Sequence, residues 1–174
     1  MSLLLKQIFQ FFRLLNSETG LHQISSGIAA GFVLGMTPAL SLQSMLIFLG
    51  ILVFRIQAGA AFVSAFFFTF IAYLLDPVFH AVGEWVLGHP SLTALFTHLY
   101  NMPIVPYTRF NNTIVMGSGV VSLALTPVVF VVSAVLIKKY RDTVVQRFQN
   151  TRFWKAVKAT GLYKWYHQYE ELYG

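Results

Sequence analysis

The stretch GIAAGFVLGMTPALSLQSMLIFLGILVF, residues 27–54, decides the fold of this chain. It contains no charged residue, and an apolar run of this length is typical of a membrane segment. Gly27, Gly31 and Gly35 recur at every fourth position, so they share one helical face. A face without side chains lets a second helix approach closely. We therefore predict that these three glycines are helix-packing positions.

A Thr-Pro dipeptide interrupts this run near its middle. Pro38 lacks an N–H and clashes with the preceding turn, so the helix must kink or stop there. The sequence thus predicts a broken hairpin over residues 24–54, which either crosses the membrane twice or re-enters it. Backbone groups freed by such a break find partners inside the protein or line a wet cavity. A polar cluster lies at the break and consists of Thr37, Ser41, Gln43 and Ser44. The candidates for binding a substrate or lipid are Thr37, Pro38, Ser41 and Gln43. The alternative is a kinked helix whose hydroxyls bond its own backbone.

The composition indicates an integral membrane protein. Of the 174 residues, 56% are hydrophobic and only 10% are charged, whereas soluble domains carry about a quarter charged residues. The chain has no cysteine, which excludes disulfides, thiolate metal sites and cysteine nucleophiles. Nucleotide, hydrolase and zinc-protease motifs are absent. We therefore expect an all-α, small polytopic membrane protein that is not an enzyme and has no catalytic residue, no metal and no cofactor.

Two further apolar segments follow the hairpin. Residues 57–75 and 112–137 are long enough to cross a hydrocarbon core of about 30 Å. Between them Asp76-Pro77 has the pattern of a helix N-cap followed by proline at the first helical position, which predicts a separate surface helix over residues 77–87. His80 and Glu84 lie one turn apart on that helix. They are further candidate binding residues. Their spacing also fits a metal pair, a proton relay or, as the preferred interpretation, a polar stripe at the membrane surface.

The termini carry most of the positive charge. Residues 3–15 predict an amphipathic helix that lies in the bilayer interface or packs on the cytoplasmic side of the protein. Residues 1–141 form the predicted membrane domain, and residues 142–174 form a basic-aromatic tail in the cytoplasm or at the membrane surface. Such a tail indicates contact with anionic lipid headgroups rather than with nucleic acid. The predicted membrane-surface residues are Lys138, Lys139, Arg141, Arg147, Arg152, Lys155 and Lys158.

The distribution of basic residues predicts the orientation. If the hairpin returns to the side from which it enters, both termini and Arg55 share one side and Arg109 alone lies on the other. Eleven of the twelve basic residues then lie on one side, as the positive-inside rule requires. We therefore expect a multi-pass protein of the bacterial inner membrane with both termini in the cytoplasm.

The motifs GIAAGFVLGMTPALSLQ and LLDPVFH, with LNSET before them and YTRFNNTIVMGS after them, resemble a bacterial family known as domain of unknown function 2062. The resemblance covers roughly residues 14–141, and the matching motif positions are Gly31, Gly35, Pro38, Gln43, Asp76 and Pro77. The resemblance implies a small bacterial inner-membrane protein without an agreed activity. Members of one subgroup are often encoded beside a much larger envelope protein, which implies a protein partner.

Two functions follow from these observations, and an intramembrane enzyme that uses Asp76, Glu84 or the histidines is a less favoured third. In the first, the chain is a membrane subunit that assists the passage or hand-over of a lipid or lipophilic substrate, with a wet or lipid-filled cleft beside Thr37 and Gln43. In the second, it is a membrane anchor or assembly factor without a substrate, and the break is packed dry. A chain this small needs to form a homo-oligomer, or to join a larger envelope partner, before it can enclose a path for a large substrate.

Overall fold

A computed structural model describes Gln7 and residues 20–145 of the chain, and these residues are helical without a strand among them. The predicted interfacial helix 3–15, apart from Gln7, and the tail beyond Val145 lie outside the described residues. Residues 20–145 contain five α-helices: α1 (Leu21–Met36), α2 (Leu42–Val53), α3 (Ala58–Leu87), α4 (Thr93–Tyr100) and α5 (Thr113–Tyr140). The all-α fold class is thereby confirmed.

The first two helices form a hairpin. Helix α1 ends at Met36 and α2 begins at Leu42, so the chain is broken where the Thr-Pro dipeptide lies. The hairpin returns to its starting end, because the amide of Gln57, just after α2, donates to the carbonyl of Gln23 near the start of α1 at 3.2 Å. The two helices have 16 and 12 residues, which gives lengths of about 24 and 18 Å.

Helix α1 packs directly on the first half of α3. Gly27 lies against Gln57 and Ala60, and Gly35 lies against Ala65 and Phe68. Because the contacting residue numbers rise together, the two helices run parallel. Between these contacts, a Cβ on Gly31 would overlap the carbonyl oxygen of Ala61 and the Ser64 hydroxyl.

Helix α3 continues through the position where a new helix was predicted. Residues 58–87 form one helix of 30 residues with Pro77 in its interior, which corrects the predicted cap at Asp76-Pro77 and merges the predicted segments 57–75 and 77–87. A proline removes one helical hydrogen bond, and the packing of neighbouring helices can compensate for this loss. Beyond Pro77 such packing is present, because Phe79 is buried and Gly83 contacts α5.

A second glycine contact joins α3 to α5. Gly83 lies against the carbonyl of Thr113, and Gly117 lies against the carbonyl of Phe79, so that a Cβ on either glycine would overlap backbone atoms. Because the contacting numbers run in opposite directions, α3 and α5 are antiparallel here. Helix α5 matches the predicted segment 112–137 closely, and Pro127 lies in its interior without breaking it.

Among the described residues, two helices are long and apolar enough to cross a membrane, Ala58–Leu87 and Thr113–Thr143. Only 22% and 11% of their apolar windows are buried inside the chain, whereas the core helix of a soluble protein is mostly buried. Helix α2 buries only Ser44 and Ile51 among its residues. Most of its other side chains are exposed and apolar, for example Met45, Leu46 and Leu52. This weakly indicates a membrane protein, because lipid rather than water suits such a surface.

The connection between α3 and α5 contains short helical pieces, α4 and two 3₁₀ turns at Pro90–Leu92 and Val105–Thr108. The chain divides into two compact units, up to Val135 and from Leu136 onward. The packing described above belongs to the first unit. The second contains the last turn of α5, with Lys138 and Lys139, and a π-helical turn at Arg141–Val145.

Candidate functional site

The candidate site is the break between α1 and α2, from Thr37 to Gln43. Thr37 ends α1 in an extended conformation, with φ of −102° and ψ of 147°. Ser41 is the N-cap of α2, and its hydroxyl accepts a hydrogen bond from the amide of Ser44 at 3.2 Å. Serine is favoured at this position because it satisfies one of the free N–H groups of a helix N-terminus.

Three buried hydroxyls close the break from the inside. Thr37, Ser41 and Ser44 are 5%, 1% and 4% exposed. The Ser44 hydroxyl is central: it donates to the carbonyl of Pro38 at 2.9 Å, accepts from Ser41 at 3.1 Å and lies 2.7 Å from the Thr37 hydroxyl. The Thr37 hydroxyl also lies 2.8 Å from the carbonyl of Val33.

The three hydroxyl protons are fully used by these contacts. Ser44 donates to Pro38, Ser41 donates to Ser44, and the Thr37 proton is shared between Val33 and Ser44. A hydroxyl has one proton to donate, so no donor is left over for a ligand. The inner side of the break is therefore a packed, self-bonded cluster and not an open cleft.

The outer side of the break is exposed. Pro38, Ala39 and Leu40 form the tip of the hairpin, and Leu40 is 75% exposed. The turn is closed by a hydrogen bond from the amide of Ser41 to the carbonyl of Pro38 at 3.0 Å. Among the described residues, no partner accepts from the amides of Ala39 and Leu40. Within residues 20–145, the tip therefore presents two backbone donors without an acceptor.

Gln43 points away from the hydroxyl cluster and toward α5. Its side-chain amide lies against Gly119, where an added Cβ would overlap the Gln43 nitrogen. The Oε1 atom of Gln43 is buried and has no hydrogen-bond partner in the described part of the chain. Such a group is unusual, because nearly all buried polar atoms in proteins are bonded.

His80 and Glu84 lie far along α3 from these residues in sequence and form a separate polar pair. Their Nε2 and Oε2 atoms are 4.0 Å apart, and both side chains are largely exposed. His80 Nδ1 lies 2.7 Å from the hydroxyl of Thr113, the first residue of α5. Within the described residues no three His, Asp or Glu side chains are grouped as metal ligands.

The predicted membrane-surface residues are described only in part. Lys138 and Lys139 are exposed in the last turn of α5, and Arg141 is half-buried just beyond it. The other predicted surface residues, from Arg147 to Lys158, lie outside the described residues.

Sequence reasoning missed two glycines that position the site. Gly119 provides the space for Gln43, and Gly83 provides the contact between α3 and α5. Gly83 had a signal, because a glycine in the interior of a long apolar helix costs stability and usually has a packing reason. Gly119 lies in an apolar run that also contains Gly117. The spacing of residues within that run does not show that Gly119 contacts Gln43 on another helix.

Comparison with known proteins gives a family but no activity. Residues 5–145 match the model of a family described as an uncharacterized protein conserved in bacteria, DUF2062. The chain is also similar to an uncharacterized protein of Treponema pallidum (strain Nichols), with 30% identity over 122 residues, which cover 70% of this chain and 75% of that protein. No solved structure matches the chain.

Proposed function

Because the chain belongs to the bacterial DUF2062 family, we propose that it is a multi-pass protein of the inner membrane that serves as a subunit of a larger membrane assembly. Its partners in this proposal are further copies of itself or a larger envelope protein. The observation that carries the proposal is the exposed tip of the α1–α2 hairpin, together with the depth at which the tip would lie.

The depth follows from the packing of α1 on α3. Arg55 and Gln57 are the polar residues before α3, so we place the membrane boundary near Ala58. The end of α1 lies against Ala65 and Phe68, which are seven and ten residues into α3, or about 10–15 Å along its axis. With a hydrocarbon core of about 30 Å, the break lies near mid-membrane. The hairpin is then re-entrant, because both its helices are shorter than the core.

A tip at that depth requires cover. Non-helical backbone is tolerated in the hydrocarbon region only where protein buries it or where it lines a wet cavity. Ala39 and Leu40 are exposed residues whose amides have no acceptor in the described part of the chain, whereas the hydroxyl cluster behind them is closed. A neighbouring protein that packs on the tip supplies the missing acceptors, which is the role of an assembly subunit.

Photo-crosslinking in the membrane tests this proposal. We expect a photoreactive amino acid at Leu40 to give one discrete protein adduct, either a dimer of the 19.6-kDa chain or a complex with one larger protein. The matched control is Leu74 on α3, which is 80% exposed against 75% for Leu40, and for which we expect no discrete protein adduct. Equal crosslinking from both positions, or none from Leu40, would contradict the proposal.

The unbonded Oε1 of Gln43 favours a second candidate function, the hand-over of a lipid or lipophilic substrate. A buried carbonyl without a partner costs about 1–3 kcal/mol, so a bound water or ligand group that donates to it would remove this cost. In this function Gln43, rather than the closed hydroxyl cluster, contacts the substrate.

Substitution of Gln43 separates the two functions. Gln43→Leu removes the unbonded carbonyl, so an assembly subunit with a dry contact at Gly119 should keep or gain thermal stability and should keep its cellular phenotype. For a substrate-handling subunit we expect a folded protein that loses the phenotype and the lipid which co-purifies with it. The measurements are thermal unfolding in mild detergent, mass spectrometry of bound lipid and complementation of a deletion strain.

A further inference from the structure

A shallow groove lies where α3 ends, away from the α1–α2 break in the chain. It has a volume of about 430 Å³ and is lined by Ala81, Glu84, Trp85, Gly88, His89 and Pro90. The sequence interpretation considered Glu84 only together with His80. In the groove, Glu84 is accompanied by the indole ring of Trp85 and by a second imidazole, that of His89.

The carboxylate of Glu84 is available to a cation. Its side chain is 74% exposed, and its ion-pair neighbour in the described residues is His80, at 4.0 Å. Between Arg55 and Lys138 the sequence has two acidic residues, Asp76 and Glu84, and one basic residue, Arg109. This part of the chain therefore differs in charge from the rest, which is basic.

The indole of Trp85 lines the same groove as that carboxylate and is 70% exposed. His89 contacts it edge-on, with ring centroids 5.9 Å apart and planes at 76°, and so supports its orientation. An organic ammonium group binds to such a pair in two ways at once, by a charge-assisted hydrogen bond to the carboxylate and by attraction to the face of the indole.

His89 has an unmet hydrogen bond. Its Nδ1 atom is buried and has no partner among the described residues. Depending on the tautomer, this nitrogen needs either a donor or an acceptor. A phosphoethanolamine group carries both, an ammonium donor and a phosphate acceptor, and it meets this nitrogen only after the imidazole ring turns toward the groove.

The surface next to the groove suits the rest of a lipid. Leu74, Val78, Ala81 and Trp85 fall on one face of α3, since they are spaced by four, three and four residues. Leu74 and Val78 are exposed and lead from the groove toward the first half of the helix. Because α3 has 30 residues, about 45 Å, its last turns extend beyond a core of about 30 Å. Tryptophan is enriched at this level of a membrane.

We infer that this groove binds the headgroup of an aminophospholipid, with the ammonium between Glu84 and Trp85 and the acyl chains along Leu74 and Val78. The inference rests on the membrane location proposed above. It concerns a different part of the chain from the hairpin tip, so the lipid site and the assembly role of the tip can fail separately.

Native mass spectrometry of the full chain in nanodiscs tests the site. The probes are phosphatidylethanolamine and phosphatidylglycerol in equal amounts, since the second lacks the ammonium group. We expect the protein to retain phosphatidylethanolamine preferentially, and Glu84→Gln to reduce this retention about tenfold, as the loss of one charge-assisted hydrogen bond implies. Trp85→Leu should also reduce it. Asp76→Asn is the matched control, a carboxylate two turns earlier on the same helix, and should retain lipid as the wild type does.

Several outcomes would overturn the inference. Equal retention of both lipids, or unchanged retention in Glu84→Gln, would show that the groove does not select the ammonium group. An equal loss in Asp76→Asn would assign the effect to net charge. Displacement of the lipid by soluble ethanolamine at an equal concentration would assign the site to a free amine. Failure of the protein to enter nanodiscs at all would instead contradict the membrane location.

Discussion

At the scale of single residues, the break depends on one hydroxyl. Ser44 bonds to Thr37, Ser41 and the carbonyl of Pro38, so it connects the end of α1 with the start of α2. We expect Ser44→Ala to lower the free energy of unfolding by about 1–3 kcal/mol, because buried polar groups lose their partner. Thermal unfolding in detergent measures this.

Ser122→Ala is the control for that experiment. Ser122 is equally buried, but its hydroxyl donates only to the carbonyl of Gly119 in its own helix, at 3.3 Å. Such a bond within a helix contributes little, so the stability should hardly change. Equal losses in the two variants would mean that the hydroxyl cluster has no special part in closing the break.

Glycine positions allow a second matched pair. A methyl group at Gly31 overlaps the Ala61 carbonyl and the Ser64 hydroxyl, whereas one at Gly50 has Phe54 as its nearest contact, at 3.9 Å. We expect Gly31→Ala to cost about 1–3 kcal/mol through overpacking. Gly50→Ala should be neutral or stabilising, because alanine favours the helix. A stable Gly31→Ala protein would contradict the close approach of α1 and α3.

At the scale of elements, sequence and structure agree where one local signal dominates. Pro38 interrupts an apolar helical run and is followed by polar residues, so the sequence alone predicts the break. The four-residue spacing of Gly27, Gly31 and Gly35 likewise reveals the face by which α1 contacts α3. In both cases the residues that determine the structure are close together in the chain.

The prediction failed at Asp76-Pro77, where distant residues decide. Locally, an N-cap residue followed by proline favours a helix start. In the structure the helix continues, and the turns after Pro77 pack against Thr113 and Gly117, 30 or more positions away. The contact of Gln43 with Gly119 could not be predicted from the sequence for the same reason. Spacing within one helix does not show which residue of another helix it meets.

Substitution of two prolines tests this correction. Pro77 lies inside α3, so Pro77→Ala adds an N–H that can bond to the carbonyl of Tyr73 and should leave the thermal stability equal or higher. Pro38 lies in the turn, where proline restricts the unfolded chain, so Pro38→Ala should cost about 0.4–1 kcal/mol. Unfolding followed by far-ultraviolet circular dichroism compares the two. A loss of helix in Pro77→Ala would support the separate helix that the sequence predicted.

At the scale of the whole molecule, charge and helix direction together predict the topology. The hairpin returns to its start, because Gln57 bonds to Gln23, and α3 then runs parallel to α1. If α3 crosses the membrane, the segment with α4 lies on the far side, and α5 returns antiparallel to α3. That arrangement leaves Arg109 as the single basic residue on the far side, in keeping with the positive-inside rule.

Single-cysteine labelling tests this topology, and the chain suits the method because it contains no cysteine. Gly20, Ser91 and Thr143 are exposed, and a side chain at Gly20 meets only ordinary contacts with Gln23. In spheroplasts we expect an impermeant thiol reagent to label Ser91→Cys, and to label Gly20→Cys and Thr143→Cys only after the membrane is permeabilised. In sealed spheroplasts, labelling of Gly20→Cys without Ser91→Cys would mean that the whole protein has the opposite orientation. Labelling of both would mean that the hairpin crosses the membrane once, and it would remove the basis for placing the break at mid-membrane.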